Sequence, residues 1–449
     1  MPANRGARLS RRELLAAAGG VALAASLGPG RASAAPATVP DILSNGVFPI
    51  GMFRPPPLSQ TTDARYQEIA DAGFTFVSAG TGGCDVYNLA ANRTLLPLCE
   101  NHGLLAIVND TRMGQVGAST TPQDQWQPIT QAVLNDYNPY PAFAGLHTGD
   151  EPVPSQYAPI GTAVRLVRQL APTKLVDNNL AGYFGGPDWG GVVQGFIDQV
   201  HPSYFSFDRY MLLMPDGYHN TPAQQATAES QFFTTLANSR LKSVANGVPF
   251  WCYLQGVAHH SGANYFRHPN YGETIWQINA ALAYGARGLQ WFTYWSPGGA
   301  DFGDAVLTVS GAESDVYGYL KHFQNDYLRP MGKELLTLTT ERTAHFGEKT
   351  LPSAVIGFSN DGWISAISGS PVIVTRLNRN STKQRWIFVA NRSYSTTATA
   401  SLAVGPAVTT VEEFVNASQT YQPTPLTSAR AISYQCTPGT ARLYRLTTA

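Results

Sequence analysis

The chain has 449 residues, with 30 basic and 30 acidic side chains and a formal net charge of zero. Charged residues make up only 13 %, whereas Trp, Tyr and Phe number 8, 21 and 20. That balance excludes the basic face of a nucleic-acid binder and suits an uncharged ligand with apolar faces.

The first segment reads as an address. Leu9-Ser10-Arg11-Arg12-Glu13-Leu14-Leu15 sets paired arginines before an apolar run, Leu14 to Leu27, that is too short to anchor in a bilayer. Ala32-Ser33-Ala34 follows as a small-x-small cleavage pattern. The expectation is a twin-arginine signal over residues 1–34, read by the twin-arginine export machinery on an already folded protein. No later segment is apolar enough to span a membrane, so no anchor is expected after cleavage and the protein should be secreted or held at the cell surface. About 415 residues remain, enough for one large domain and one small one.

Strand and helix patterns then alternate. Residues 47–53 form a first apolar strand, followed by Arg54 and three prolines. Residues 63–72 are helical and 74–78 a second strand before a Gly-rich loop. A third strand, 104–108, ends in Asn109-Asp110. A helix at 123–134 leads to the fourth strand, 143–148. Helix 155–170 precedes the fifth strand at 174–178, whose end is Asn178. The sixth, 204–207, ends in Asp208-Arg209-Tyr210. A long helix at 223–244 precedes strand seven, 249–254, and helix 273–284 precedes strand eight, 288–295. Helix 315–327 closes the series. Eight apolar strands separated mostly by helices predict a (β/α)8 TIM barrel, class α/β, over residues 35–334. An open doubly wound sheet is the alternative, but no Gly-rich phosphate loop follows the first strand. From residue 335 to 449 the pattern shifts to short alternating segments such as Ala354–Phe358, Trp386–Asn391 and Ala441–Leu446, which predict a small β-sandwich.

The most informative residue is Glu151, in Phe143-Ala144-Gly145-Leu146-His147-Thr148-Gly149-Asp150-Glu151-Pro152. An apolar strand ends, two carboxylates follow, and a proline stops the ladder. The carboxyl ends of barrel strands are where catalytic groups lie.

A barrel with Gly149-Asp150-Glu151-Pro152 after its fourth strand resembles the superfamily of retaining barrel glycoside hydrolases, which usually carry Asn-Glu-Pro there. It is similar, more closely, to exported hydrolases with a Gly-Asp-Glu-Pro barrel. Those share the run Gly285-Ala286-Arg287-Gly288-Leu289-Gln290-Trp291-Phe292-Thr293-Tyr294-Trp295 as a last strand, followed by a C-terminal β-domain. The resemblance covers roughly residues 45 to 449. It implies that Glu151 is the acid/base, and that Asp150 stands where an asparagine would bind the sugar 2-hydroxyl.

The departure concerns the second carboxylate. The superfamily places a glutamate at the end of strand seven, where this chain has Gln255. Cleavage needs a partner about 5 Å away for retention, or about 6.5 to 9.5 Å away for inversion. Glu273, at the start of the helix after strand seven, and Asp208, at the tip of strand six, are the candidates. Arg209 is a candidate ion-pair partner for Asp208. Asp150 should point elsewhere than Glu151 if both are extended; near it, it would raise the pKa of one of them. Arg54, Asn109, Asp110, Asn178, Gln255 and Tyr294 lie at strand ends and offer the hydrogen bonds that sugar hydroxyls need. Tyr210 and Trp295 offer flat faces to a sugar ring. His259-His260-Ser261-Gly262, with His268, lacks a zinc spacing, so no metal or other cofactor is expected. Cys84, Cys99, Cys252 and Cys436 also lack metal spacing. An uninterrupted helix between Cys84 and Cys99 would hold them about 22 Å apart and forbid a bridge, although Pro97 leaves the pairing open. Cys252 should be buried and reduced.

The reading is a secreted glycoside hydrolase with carbohydrate as its partner. The alternative is a non-catalytic carbohydrate-binding protein on the same scaffold, motivated by Gln255. Cleavage after Ala34 predicts that N-terminal sequencing of the exported protein reads from Ala35.

Overall fold

The computed structural model describes residues 39–78, 88–183 and 186–449. The expected signal segment, Cys84 and most of the Gly-rich loop after the second strand lie outside the described residues.

Eight parallel strands close into a barrel. They are β1 (Ile50–Phe53), β2 (Phe76–Ser78), β3 (Leu105–Asn109), β4 (Phe143–Asp150), β5 (Leu175–Ala181), β6 (Phe205–Asp208) and β7 (Phe250–Gln255), then, after a hairpin of β8 (His259–Ser261) and β9 (Asn264–Phe266), β10 (Leu289–Phe292). Eight helices separate or follow them: α1 (Asp63–Asp71), α2 (Leu89–Asn101), α3 (Gln123–Tyr137), α4 (Tyr157–Leu170), α5 (Trp189–Val200), α6 (Pro222–Asn246), α7 (Tyr271–Ala283) and α8 (Asp315–Phe323). The strands read as apolar runs because helices cover one face and the barrel interior the other; every residue of β1 and of β7 is buried.

The barrel floor is filled by rings. Phe76, Trp251 and Tyr204 pack with Ile107, Leu175 and Ile42 in one cluster. Gly51 makes room for them, since a Cβ there would sit 2.1 Å from the Phe76 ring. Above this floor the lumen turns polar: His147 Nδ1 is 2.6 Å from Asp177 Oδ2, and the Tyr204 hydroxyl donates to Asp177 Oδ1.

Two helices escaped the sequence pattern. The helix Trp189–Val200 begins Trp-Gly-Gly, which reads as loop, yet the Asp188 side chain caps it by accepting from the Gly191 amide at 3.3 Å. The helix Leu89–Asn101 is capped by Asn88 and carries Pro97 within it. The β8–β9 hairpin was also missed; Gly262, at φ +59°, takes the left-handed turn position.

After a last helix, α9 (Arg329–Leu336), the chain forms two antiparallel sheets in a sandwich-like domain. β11 (Thr339–Phe346), β13 (Val372–Asn378), β14 (Gln384–Asn391), β19 (Ala441–Thr448), β16 (Val408–Val415) and β17 (Thr420–Pro423) pair in that order. β12 (Ile364–Gly369), β15 (Ala398–Val404) and β18 (Ala431–Cys436) form the second sheet. The segment Ala354–Phe358, expected as a strand, joins neither sheet and makes only an isolated bridge between Gly357 and His345. Cys99, Cys252 and Cys436 are free and buried.

The sandwich sits on α7, which is why that helix is buried on all sides from Glu273 to Ala283. Arg392 is the main polar tie. Its Nε donates to Glu348 at 2.8 Å, its Nη1 reaches Glu229 on α6 at 3.5 Å, and its guanidinium lies 4.3 Å from the Phe233 ring centre. Arg392→Met should therefore cost about 3 kcal/mol, because two largely buried carboxylates lose their counter-charge. Urea unfolding should show a lower midpoint, partly restored by adding Glu348→Gln.

Candidate active site

The end of β4 is shaped by one irregularity. His147 pairs in register with Asp177, but Gly149 pairs with Asn178 and Asp150 with Asn179, so an extra residue is inserted at Thr148. A bulge of this kind re-aims the side chains beyond it. Asp150 thereby comes level with Asn179, whose Nδ2 lies 3.4 Å from Asp150 Oδ1. Glu151 then leaves the extended conformation altogether, at φ +48°. A non-glycine residue in the left-handed region is strained and persists only when its surroundings hold it. Here its amide donates to the Asn179 carbonyl at 2.7 Å, and its Oε2 accepts from the Tyr183 hydroxyl at 2.7 Å. Glu151 is not extended, so the condition under which the two neighbouring carboxylates would diverge is not met; Glu151 lines the cleft and Asp150 is tied to Asn179 beside it.

Asp208 arrives from the tip of β6. Its Oδ1 accepts from Asn179 Nδ2 at 2.8 Å, so one amide joins Asp150 and Asp208. Burial pushes the Asp208 carboxyl well above its ordinary range, and the charges of Glu151 and Asp150 push it further. Glu151 is also raised, by burial first; the Tyr183 hydrogen bond opposes the shift and the Asp150 charge adds to it. Asp150 is raised by its protein surroundings, opposed by the charge of His147 and the bond from Asn179. Each carboxyl of the cluster therefore holds its proton to a higher pH than it would alone in water.

Glu151 and Asp208 face one cleft of about 740 Å³ at the carboxyl end of the barrel. One wall is aromatic: Tyr210 stacks on Phe292 with centroids 5.4 Å apart, and His259 stacks on Phe266 at 4.4 Å. His259 is held neutral, its pKa lowered to about 4 by burial. Arg209, with Gln224 and Gln231 of α6, brings polar groups to the same lining.

The other residues expected at the mouth have different placements. Glu273, only 3 % exposed, starts α7, where it accepts from Arg267 Nε at 3.1 Å and from the Asn270 amide at 3.0 Å. It is a helix cap and ion-pair partner outside the cleft lining. Gln255 is fully buried: its Oε1 accepts from the Leu212 amide at 3.0 Å and its Nε2 donates to the Leu212 and Arg267 carbonyls. Tyr294 turns outward to Glu68 on α1, 2.7 Å away, and Trp295 lies under Arg65. Asp110 is occupied by Arg112 and the Tyr137 hydroxyl. Asn178 accepts from Thr148 at 3.1 Å, helping to hold the bulge rather than facing the cleft. Arg54, buried at φ +60°, and Asn109, whose carbonyl accepts from Asn92, are not among the lining residues either. Asp150 adjoins the cleft carboxylates, and Tyr210 lines the wall. The residues that sequence reading overlooked are Asn179, Tyr183, His259, Phe266 and Phe292. Asn179 was visible as one step past Asn178 in the fifth strand, but only the bulge reveals its role.

Among the described residues no three His, Cys, Asp or Glu side chains group as metal ligands, and no helix is long and apolar enough to cross a membrane.

No protein-family model matches the sequence, and no curated protein sequence does. Solved structures share the fold. One described as a glycoside hydrolase aligns at TM-score 0.53 and 11 % identity, over 90 % of this chain and 93 % of its own. A glycoside hydrolase family 5 protein from Bacteroides vulgatus aligns at TM-score 0.51 and 11 % identity, over 89 % of each chain. A β-galactosidase from the psychrophilic Marinomonas ef1 aligns at 0.49 and 13 %, over 65 % of this chain; this chain spans 62 % of that protein. At these identities the likeness is one of fold.

The raised Asp208 carboxyl has a consequence for stability. The native state binds its proton more tightly than the unfolded chain, whose value is near 3.8. Its contribution is therefore fully present below about pH 4 and lost as the pH rises through the folded value. Asp208→Asn keeps the acceptor for Asn179 and removes that loss. The variant should be more stable than wild type at about pH 8, with no such advantage at about pH 3.5, as urea midpoints will show.

Proposed function

We propose that this chain is a glycoside hydrolase whose chemistry rests on Glu151 and Asp208. The observation that carries the reading is the convergence of these two carboxyl groups, from different strand ends, on one cleft with an aromatic wall. Glycosidic cleavage needs two carboxyl groups: one protonated to deliver a proton to the leaving oxygen, one ionised to attack the anomeric carbon or activate water. Mutual charge and burial keep such a pair sharing a proton near neutral pH. The aromatic wall of Tyr210 and Phe292 suits the C–H face of a sugar ring. Two proteins of similar fold with TM-scores above 0.5 are described as glycoside hydrolases, in agreement with the reading. The resemblance of the Gly-Asp-Glu-Pro run makes Glu151 the proton donor. Asp208, rather than Glu273, is then the second carboxylate, since Glu273 is neutralised by Arg267 away from the cleft. The twin-arginine segment would deliver the folded enzyme outside the cell.

The non-catalytic glycan-binding reading is favoured by Gln255, which leaves no carboxylate at the end of β7. It predicts sugar binding without turnover, however long the incubation.

Assays on a panel of glycosides separate the readings. Glu151→Gln and Asp208→Asn should each lower kcat by about 10²- to 10⁴-fold with the fold retained. For a donor at Glu151, Glu151→Gln should lose far less on aryl glycosides, whose leaving groups need little protonation, whereas Asp208→Asn loses activity on both. The pH profile should be bell-shaped. Activity should fall as the pH rises through the higher apparent pKa of the pair, when the donor loses its proton, and fall again as acid protonates the partner. Both limbs should lie above those of ordinary carboxyl groups near about pH 4. Full activity in Glu151→Gln would sink the assignment.

A further inference from the structure

Arg209 follows Asp208 at the end of β6, and its side chain lines the cleft. Sequence adjacency suggests an ion pair between them, but the structure shows none. The guanidinium donates to the Gln231 side-chain oxygen and, at 3.5 Å, to the Gly182 carbonyl, both neutral. Among the described residues it forms no ion pair, whereas Arg112, Arg267, Arg376 and Arg392 are each matched with a carboxylate. Arg287 is also without a carboxylate partner, but its guanidinium is taken up by the Leu335 and Leu338 carbonyls, whereas Arg209 lines an open cleft where an anion could reach it. Its planar fork matches a carboxylate by two parallel hydrogen bonds, a geometry that lysine cannot supply.

Resting on the glycosidase reading, we propose that the sugar bound beside Glu151 and Asp208 is a uronic acid, whose carboxylate is gripped by Arg209. Gln231 pre-orients the guanidinium, and the aromatic wall takes the ring face. The anion is tolerated near two acidic residues because burial and mutual charge push both carboxyl groups toward their neutral forms and the adjoining Arg209 supplies a positive charge. Burial weakens the hold of Arg209 on its proton and the Asp208 charge only partly opposes this, so a bound carboxylate would be a better partner than the neutral oxygens now present.

The test compares matched aryl glycosides in gluco, galacto and manno series, each as the uronide, the neutral sugar and the neutral sugar 6-sulfate. Wild type should favour at least one uronide over its neutral counterpart in kcat/KM. Arg209→Gln should reduce that uronide-to-neutral ratio by roughly 10²-fold, mainly through KM, and Arg209→Lys should recover only part of it. Preference for neutral sugars across the panel overturns the proposal whether or not the variant folds. So does an unchanged ratio in a folded Arg209→Gln. Preference for the 6-sulfate would replace the carboxylate with another anion. If no glycoside is turned over, calorimetry with oligogalacturonate, oligoglucuronate and oligomannuronate decides. Binding that requires Arg209 would sink the hydrolase reading and keep the anion site, and no binding would sink both. Turnover without uronide preference leaves the hydrolase reading standing alone.

Discussion

The site depends on Asn179 more than on any single carboxylate. Its carbonyl receives the Glu151 amide, its Nδ2 reaches Asp150 and Asp208, and its Oδ1 accepts from Ser206 at 3.3 Å. One residue of β5 thus ties the ends of β4 and β6 to each other. Without the carbonyl contact nothing among these bonds would hold Glu151 in a left-handed conformation that costs of order 1–3 kcal/mol. Without the amide, Asp208 would be a buried carboxyl lacking its only side-chain donor in this network. The bulge at Thr148 belongs to the same device, because it brings Asp150 into register with Asn179.

Below the carboxylates lies a second polar layer of opposite character. His147 is fully enclosed; burial works against its charge, but the hydrogen bond and charge of Asp177 and the charge of Asp150 outweigh it and raise its pKa. His147 in turn lowers the Asp150 value. A buried imidazolium–carboxylate pair adds little net stability. Its physical effect here is electrostatic: positive charge on His147 opposes the burial that raises the Asp150 carboxyl.

Much of this was legible in the sequence, for identifiable reasons. The barrel strands are buried on two faces and so appear as apolar runs. Strand ends are marked by the first polar residue, which is how Asp208, Glu151 and Tyr210 were found. Position along a strand does not fix direction across it, however. Tyr294 and Trp295 were placed at the mouth by counting from Gly288, yet the chain turns them toward α1. The same holds for Gln255 and Asp110, whose partners come from residues distant or out of pattern, Leu212 and Tyr137. Tyr183 and the His259–Phe266 wall sit on connections with no periodicity to read, and the hairpin that carries the wall is only three residues per strand.

Gln255 shows why the end of β7 carries no carboxylate while the tip of β6 carries Asp208. Its amide accepts from the Leu212 N–H and donates to the Leu212 and Arg267 carbonyls, pinning the segment after β6 to the segment before α7. A glutamate could keep the first bond but would set an ionised oxygen against two carbonyls in a fully buried position, or be forced to hold a proton. The Arg267 backbone so fixed leaves its guanidinium facing Glu273, which therefore reads as a scaffold anion. The β7 position and the first carboxylate after it are both committed to holding loops, and the remaining acidic group that faces Glu151 across the cleft is Asp208. The glutamine that ends strand seven and the buried aspartate that ends strand six, its carboxyl pushed up by burial, are thus parts of one arrangement.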